Sequence, residues 1–137
     1  MRALLALAAL TVCGTASAAS HDLATFVGEY DLDSDGKVSM EEFLQERDRR
    51  FASTDVDRDG GISREEYLSE FRARLMYSKP EPDKITAQMK QTEVRFGVLD
   101  VNKDGHISAA EFQHSGWSMF GEHDYNRDGA VSLADKQ

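Results

Sequence analysis

One twelve-residue pattern, written four times, leaves this chain few ways to fold. Asp31-Leu-Asp-Ser-Asp-Gly-Lys-Val-Ser-Met-Glu-Glu42 recurs in register as Asp55 to Glu66, Asp100 to Glu111 and Asp124 to Asp135. The first, third and fifth positions carry short oxygen donors: Asp31, Asp33 and Asp35; Asp55, Asp57 and Asp59; Asp100, Asn102 and Asp104; Asp124, Asn126 and Asp128. The eighth is Ile or Val, the ninth Ser, and the twelfth an acid: Glu42, Glu66, Glu111 and Asp135. A hard cation such as Ca²⁺ takes about six to eight oxygens at about 2.3–2.6 Å, and alternate short carboxylates on a tightly curled backbone deliver several of them. The seventh residue of each copy (Lys37, Gly61, His106 and Ala130) would lend its backbone carbonyl, the ninth would act through a water, and the twelfth would reach back with both oxygens. The sixth is always Gly (Gly36, Gly60, Gly105 and Gly129), because the chain must turn there with a positive φ. Asp and Gly also favour plain solvated turns, but turn preference does not repeat one spacing four times in register.

These segments closely resemble the calcium loops of the EF-hand (calmodulin-like) family, in the manner of exported bacterial members with four loops. The resemblance covers nearly all of the chain after its leader. It implies an all-α fold, a helix–loop–helix array with four calcium loops and short β-bridges between paired loops, and Ca²⁺ as the bound ion.

Ahead of the repeats, residues 1–18 read as a signal peptide: Arg2 supplies the positive start, Ala3 to Val12 an apolar run, and Ala16-Ser17-Ala18 a small-residue cleavage site. The run is shorter than the roughly 20 apolar residues a membrane-spanning helix needs. Lipid attachment at Cys13, the only cysteine, is not expected, because Val12 is bulky where such leaders carry a small residue. Residues 19–137 would then form a single EF-hand domain without cysteine, exported to the periplasm or secreted, monomeric, and with no membrane span.

The charge supports the metal reading. The chain has 16 Lys and Arg against 25 Asp and Glu, a net charge of −9. This balance argues against nucleic acid or an anionic membrane as a partner. Fourteen of the 25 acids stand at the ligand positions named above, where they repel one another without a cation. The metal-free chain should therefore be loosened or partly unfolded.

Spacing between the repeats predicts their pairing. Only twelve residues, Phe43 to Thr54, separate the first two copies, and twelve more, Phe112 to His123, separate the last two. EF-hand pairs usually have about twice that, so each gap has room for one continuous helix, which at 1.5 Å per residue would hold its two metals about 20 Å or more apart. The thirty-three residues from Tyr67 to Leu99 have room for two helices, with apolar stripes Tyr67, Leu68, Phe71, Leu75 and Ile85, Met89, Phe96, Leu99, broken at Lys79-Pro-Glu-Pro-Asp83. Loop 2 should therefore pair with loop 3 at Ile62 and Ile107, and loop 1 with loop 4 at Val38 and Val131. Ser39 with Glu42, Ser63 with Glu66, and Ser108 with Glu111 have the spacing of a helix capping box, so the residues that close each loop also start its exit helix. Leu23, Phe26, Val27 and Tyr30 mark a short helix entering loop 1.

Loop 4 departs from the pattern. Asp135 is shorter than Glu, which leaves room for Mg²⁺ or weak Ca²⁺ binding; no exit helix follows before Gln137, and Leu133 is its one remaining apolar anchor. Loops 1 and 2 offer four acids among their ligands and loops 3 and 4 three, so the first two should bind more tightly. His21, His106, His114 and His123 lack zinc-helix spacing and are expected at the surface. Met76, Met89, Trp117, Met119 and Phe120 are expected in the core. No nucleophile motif or phosphate loop is present, and the carboxylates lie at ligand spacing, so the chain is expected not to be an enzyme. Calcium buffering or a calcium-stabilised fold outside the cytosol is the first expectation. The alternative is a calcium sensor that exposes an apolar groove to a protein partner, of which the residues give no identity.

Overall fold

A computed structural model describes residues 22–135; the leader, Cys13 and His21 lie outside these residues. In chain order the elements are α1 (Leu23–Tyr30), β1 (Lys37–Ser39), α2 (Met40–Thr54), β2 (Gly61–Ser63), α3 (Arg64–Tyr77), α4 (Pro82–Leu99), β3 (His106–Ser108), α5 (Ala109–His123) and β4 (Ala130–Ser132). The fold is the all-α helix–loop–helix array with short antiparallel bridges that the repeats imply.

Three of the five helices start from the same device. Ser39, Ser63 and Ser108 are N-caps whose side chains accept the N–H of Glu42, Glu66 and Glu111, while those glutamates accept the cap N–H in return. Four orphan N–H groups open every helix, and the reciprocal pair satisfies two of them. The break between α3 and α4 falls where the prolines put it, with Pro82 in the first turn of α4. Lys79, just before Pro80, takes φ 49° and closes α3 without a glycine.

The strand pairing follows from the helix lengths. β2 pairs with β3 through Ile62 opposite Ile107, and β1 pairs with β4 through Val38 opposite Val131. Loop 1 therefore neighbours loop 4, and loop 2 neighbours loop 3. Continuous α2 and α5 run antiparallel between the two pairs, with Phe43 beside Phe120 at one end and Phe51 beside Phe112 at the other. Two clusters of buried side chains result. Phe26, Tyr30, Val38, Phe43, Phe120 and Val131 pack under loops 1 and 4; Ile62, Phe96, Leu99 and Ile107 pack under loops 2 and 3, covered by Phe51, Tyr67 and Phe112.

Several side chains stand elsewhere than the sequence suggests. Trp117 is 57 % exposed and Met76 51 % exposed, so neither is core; Met119 and Phe120 do face the loop 1 and loop 4 cluster. The α5 stripe that meets α2 runs through Phe112, Gly116 and Phe120, which turns Trp117 outward against His114. Leu133, expected as the apolar anchor of loop 4, is 57 % exposed, while Val131 and Asp135 on either side of it are buried. His123 is half-buried rather than superficial, its ring stacked on Phe26 and its Nδ1 2.7 Å from the Met119 carbonyl. Among the described residues no helix is long and apolar enough to cross a membrane.

Candidate metal centres

All four loops are curled by hydrogen bonds from their own backbone to their own acids. In loop 1 the Gly36 N–H donates to Asp31 Oδ2 at 2.9 Å, the Asp35 N–H to Asp33 Oδ1 at 3.1 Å and the Lys37 N–H to Asp35 Oδ1 at 2.8 Å. Loop 2 repeats this with Gly60 to Asp55, Asp59 to Asp57 and Gly61 to Asp59. Loop 3 uses Gly105 to Asp100, Asp104 to Asn102 and His106 to Asp104, and loop 4 uses Gly129 to Asp124, Asp128 to Asn126 and Ala130 to Asp128. The backbone thus orients each of these side chains, and Asp31, Asp100 and Asp124 accept with both oxygens, taking the N–H groups of Asp35, Asp104 and Asp128 as well.

The twelfth residue closes each ring. Glu42 Oε1 accepts the N–H groups of Leu32 and Asp33 while its Oε2 accepts the N–H and hydroxyl of Ser39. Glu66 does the same for Val56, Asp57 and Ser63, and Glu111 for Val101, Asn102 and Ser108. The Ser63 hydroxyl and N–H bring Glu66 down to about 2. The Ser108 N–H and hydroxyl bring Glu111 to about 2, and the Ser39 N–H and hydroxyl lower Glu42. Asp135 reaches the same position despite its shorter side chain. It is 2 % exposed, and it accepts from Ser132 N–H at 2.8 Å and Asn126 N–H at 3.2 Å. A turn also puts the Asp135 N–H on the Ser132 carbonyl at 3.1 Å. Burial raises the Asp135 carboxyl, but these donors outweigh it and the net shift is downward.

Carboxylate oxygens of Asp31, Asp33 and Asp35 lie within 4.8 Å of one another, as do those of Asp55, Asp57 and Asp59. Repulsion follows: the Asp35 N–H lowers Asp33, but desolvation and the charges of Asp35, Glu42 and Asp31 together raise it. Asp55 is 7 % exposed and its Oδ1 is buried with no hydrogen-bond partner. An unpaired buried carboxylate oxygen is costly, and a cation held by Asp55, Asp57, Asp59, the Gly61 carbonyl and Glu66 would satisfy it. The donor set is all oxygen, which suits Ca²⁺ or Mg²⁺ rather than a soft metal. In the other loops the residues that could hold a cation in the same way are Asp31, Asp33, Asp35, Lys37 and Glu42; Asp100, Asn102, Asp104, His106 and Glu111; and Asp124, Asn126, Asp128, Ala130 and Asp135, the seventh residue again through its carbonyl. His106 has an exposed side chain, with Nε2 3.8 Å from Asp59 Oδ2 of the paired loop.

One feature of the loops has no sequence signal. The fourth residues, Ser34, Arg58, Lys103 and Arg127, all have φ between 58° and 63°, a left-handed conformation that L-residues usually avoid. None is the Gly, Asn or Asp that normally marks such a position. The curl of the loop imposes it.

No curated protein and no solved structure matches the chain. A family model described as EF hand matches residues 28–45, 47–76 and 93–114, together just over half of the sequence. The matched segments include loop 1, loop 2 and loop 3 in full; loop 4 lies outside them. With capped exit helices, bridged loops and converging acids in the matched segments, this chain belongs to the EF-hand family, whose domains bind calcium.

Proposed function

We propose that the protein is an exported calcium-binding protein whose four loops all take divalent cations, and that it acts as a calcium buffer or a calcium-stabilised fold outside the cytosol. The observation that carries this reading is the continuity of α2 and α5. A sensor opens by swinging helices at one hand, whereas here each of these helices is held at both ends by ligand-bearing loops. Outside the cytosol Ca²⁺ is abundant, so sites with a Kd of about 10⁻⁴–10⁻³ M suffice. Loops 1 and 2 bind more tightly than loops 3 and 4, having one more acid each, and loop 4 accepts Mg²⁺. The leader directs export, the chain is monomeric, and it catalyses no reaction.

A second reading, a sensor that docks an amphipathic helix of a partner protein, is favoured by one observation. Between α4 and α5 lies a groove of about 1250 Å³. Val94 and Val98 of α4 line it together with Val101 of loop 3, at 65–69 % exposure, and the four-residue spacing of Val94 and Val98 puts both on one face of α4.

The two readings separate on calcium titration. Amide NMR of Gly36, Gly60, Gly105 and Gly129 gives one reporter per loop, because each of these N–H groups donates to its loop's first Asp. Buffering predicts that all four shift and that calcium orders the helices without raising the fluorescence of an apolar-surface dye. An already folded metal-free form that rearranges around Val94 and Val98 and binds the dye when loaded would overturn it in favour of the sensor.

A further inference from the structure

The two loop pairs are joined by helices that end in metal ligands. α2 has Glu42 of loop 1 in its first turn and Asp55 of loop 2 at its C-cap; α5 has Glu111 of loop 3 in its first turn and Asp124 of loop 4 at its C-cap. Where these helices meet, Arg47 of α2 is 7 % exposed and has no carboxylate among its hydrogen-bond partners. Its Nη2 donates to the Phe112 carbonyl and, at 3.0 Å, to Ser115 Oγ. The guanidinium carbon lies 4.0 Å from the Phe112 ring centroid and 5.7 Å from that of Phe43, while Nε is buried without a partner. Gly116 leaves the space that the group occupies.

Phe43 directly follows Glu42, and Phe112 directly follows Glu111. Arg47 therefore touches the residues next to the closing carboxylates of loop 1 and loop 3, which belong to different pairs. For stability alone, a buried cation without a carboxylate is a poor choice, since an apolar side chain of similar volume usually serves as well or better. The group fixes a geometry instead. Resting on the calcium reading above, we propose that Arg47 is a positioning residue that couples the two loop pairs, so that filling loops 2 and 3 raises the affinity of loops 1 and 4, and the reverse.

Two states of the helix pair are involved. In one, the first turns of α2 and α5 are ordered and the Phe43–Arg47–Phe112 stack is formed; in the other, repulsion among the loop acids loosens those turns and the stack with them. Ions bind the first state only. The ions that fill one pair bear the ordering of both helices, and those filling the second pair find them ordered already. This coupling differs from that within a pair, which passes through the β-bridges at Ile62 with Ile107 and Val38 with Val131. Linkage makes it reciprocal.

The test disables one pair and reads the other. In the protein carrying Glu66→Gln with Glu111→Gln, the Gly36 and Gly129 amides report calcium binding at loops 1 and 4, and their affinity is expected to fall about tenfold. In an Arg47→Met background loops 1 and 4 start at that weaker affinity, and the two Gln substitutions change it no further. Ser115→Ala, which removes one of the two Nη2 acceptors and leaves the helix packing in place, lowers the coupling part of the way and serves should Arg47→Met fail to fold. Loops 1 and 4 titrating identically whether loops 2 and 3 are intact or disabled, or full coupling surviving either substitution, overturns the proposal while leaving calcium binding intact. No calcium-dependent shift of any of the four glycine amides in the unaltered protein overturns the calcium reading and the coupling together.

Discussion

Of the helical glycines among the described residues, Gly28, Gly97, Gly116 and Gly121, it is Gly116 where an added methyl group should do the most damage. A Cβ there would lie 2.6 Å from Arg47 Cδ and 2.9 Å from Arg47 Cζ, with Nε also in its path. Carbon atoms rest comfortably at about 3.5–4.0 Å, so the guanidinium must move by roughly an ångström. It has no free direction to take, because Nη2 is held by the Phe112 carbonyl and Ser115 Oγ and the plane lies over the Phe112 ring. Losing a hydrogen bond from a charged donor costs about 1.5–3 kcal/mol, and partial loss of two, with the ring contact, reaches about 3 kcal/mol. Replacing Gly by Ala in a helix returns about 1 kcal/mol. The net loss is about 2 kcal/mol, or about 8 °C in Tm for a domain of this size. Thermal and urea denaturation in saturating Ca²⁺ measure it, with Gly97→Ala in α4 and Gly121→Ala in α5 as controls. Neither control has an atom within 4 Å of the added Cβ, so both should gain about 0.5–1 kcal/mol. A Gly116→Ala protein that is stabilised like the controls would refute the claim that Arg47 is fixed against Gly116.

Three further substitutions probe the loops and the clusters beneath them. Glu66→Gln removes the carboxylate that gathers the Val56, Asp57 and Ser63 N–H groups; calcium affinity at loop 2, read at the Gly60 amide, should fall at least ~10-fold, and an unchanged midpoint contradicts its role as a ligand. Ile62→Ala empties a fully buried site opposite Ile107, which should cost about 3 kcal/mol in urea denaturation; a loss under ~1 kcal/mol would mean that the loop 2 and loop 3 cluster can collapse around the gap. Glu46 is 3 % exposed and is held below its ordinary 4.5, by the Arg49 hydrogen bond first and by Arg50, against the opposing effect of burial. Its contribution is therefore complete above about pH 4.5 and lost as pH falls through the lowered folded value. Glu46→Gln should destabilise by about 1 kcal/mol at pH 7, discounted because Arg49 is 77 % exposed, and variant and wild type should converge on acidification. A gap that widens below pH 4.5 would show that another group is responsible.

The repeats made the architecture legible because the same residues serve two purposes. Ser39 and Glu42 close a loop and cap a helix at once, so reading the loop also located the start of α2. The twelve residues from Phe43 to Thr54, too few for two helices and a turn, then required loop 1 to pair with loop 4. Side-chain placement was less legible wherever it depended on which face of a helix meets another. Trp117 and Met76 are apolar, and apolarity alone assigned them to a core; only the seam of Phe112, Gly116 and Phe120 decides that Trp117 points away. Arg47 could not be placed from its chemistry, because a guanidinium belongs at the surface unless a glycine on another helix makes room for it. The left-handed turn at Ser34, Arg58, Lys103 and Arg127 was equally silent, since those residue types favour no such conformation. Loop 4 was legible in its ligand spacing but not in its closure, where buried Asp135 accepts the N–H groups of Ser132 and Asn126 as the glutamates do in the other loops.

The two buried clusters set what calcium has to do. Among the described residues six buried side chains lie under loops 1 and 4 and four under loops 2 and 3, each group with partly buried apolar neighbours packed on it, and cores of this size leave a small domain with little surplus stability. Each cluster also lies directly beneath paired loops that crowd their acids together, and in loop 1, against the lowering by the Asp35 N–H, desolvation and the charges of Asp35, Glu42 and Asp31 together raise Asp33. Hydrophobic burial and loop repulsion are thus opposed at the same places, through the same strands, and a cation removes the repulsion without altering the burial. Because α2 and α5 each contribute aromatic residues to both clusters, Phe43 and Phe51 from one, Phe112 and Phe120 from the other, loss of either cluster frees an end of both helices. Metal binding at one pair and order at the other should therefore be linked where the two clusters meet, at Arg47 between the Phe43 and Phe112 rings.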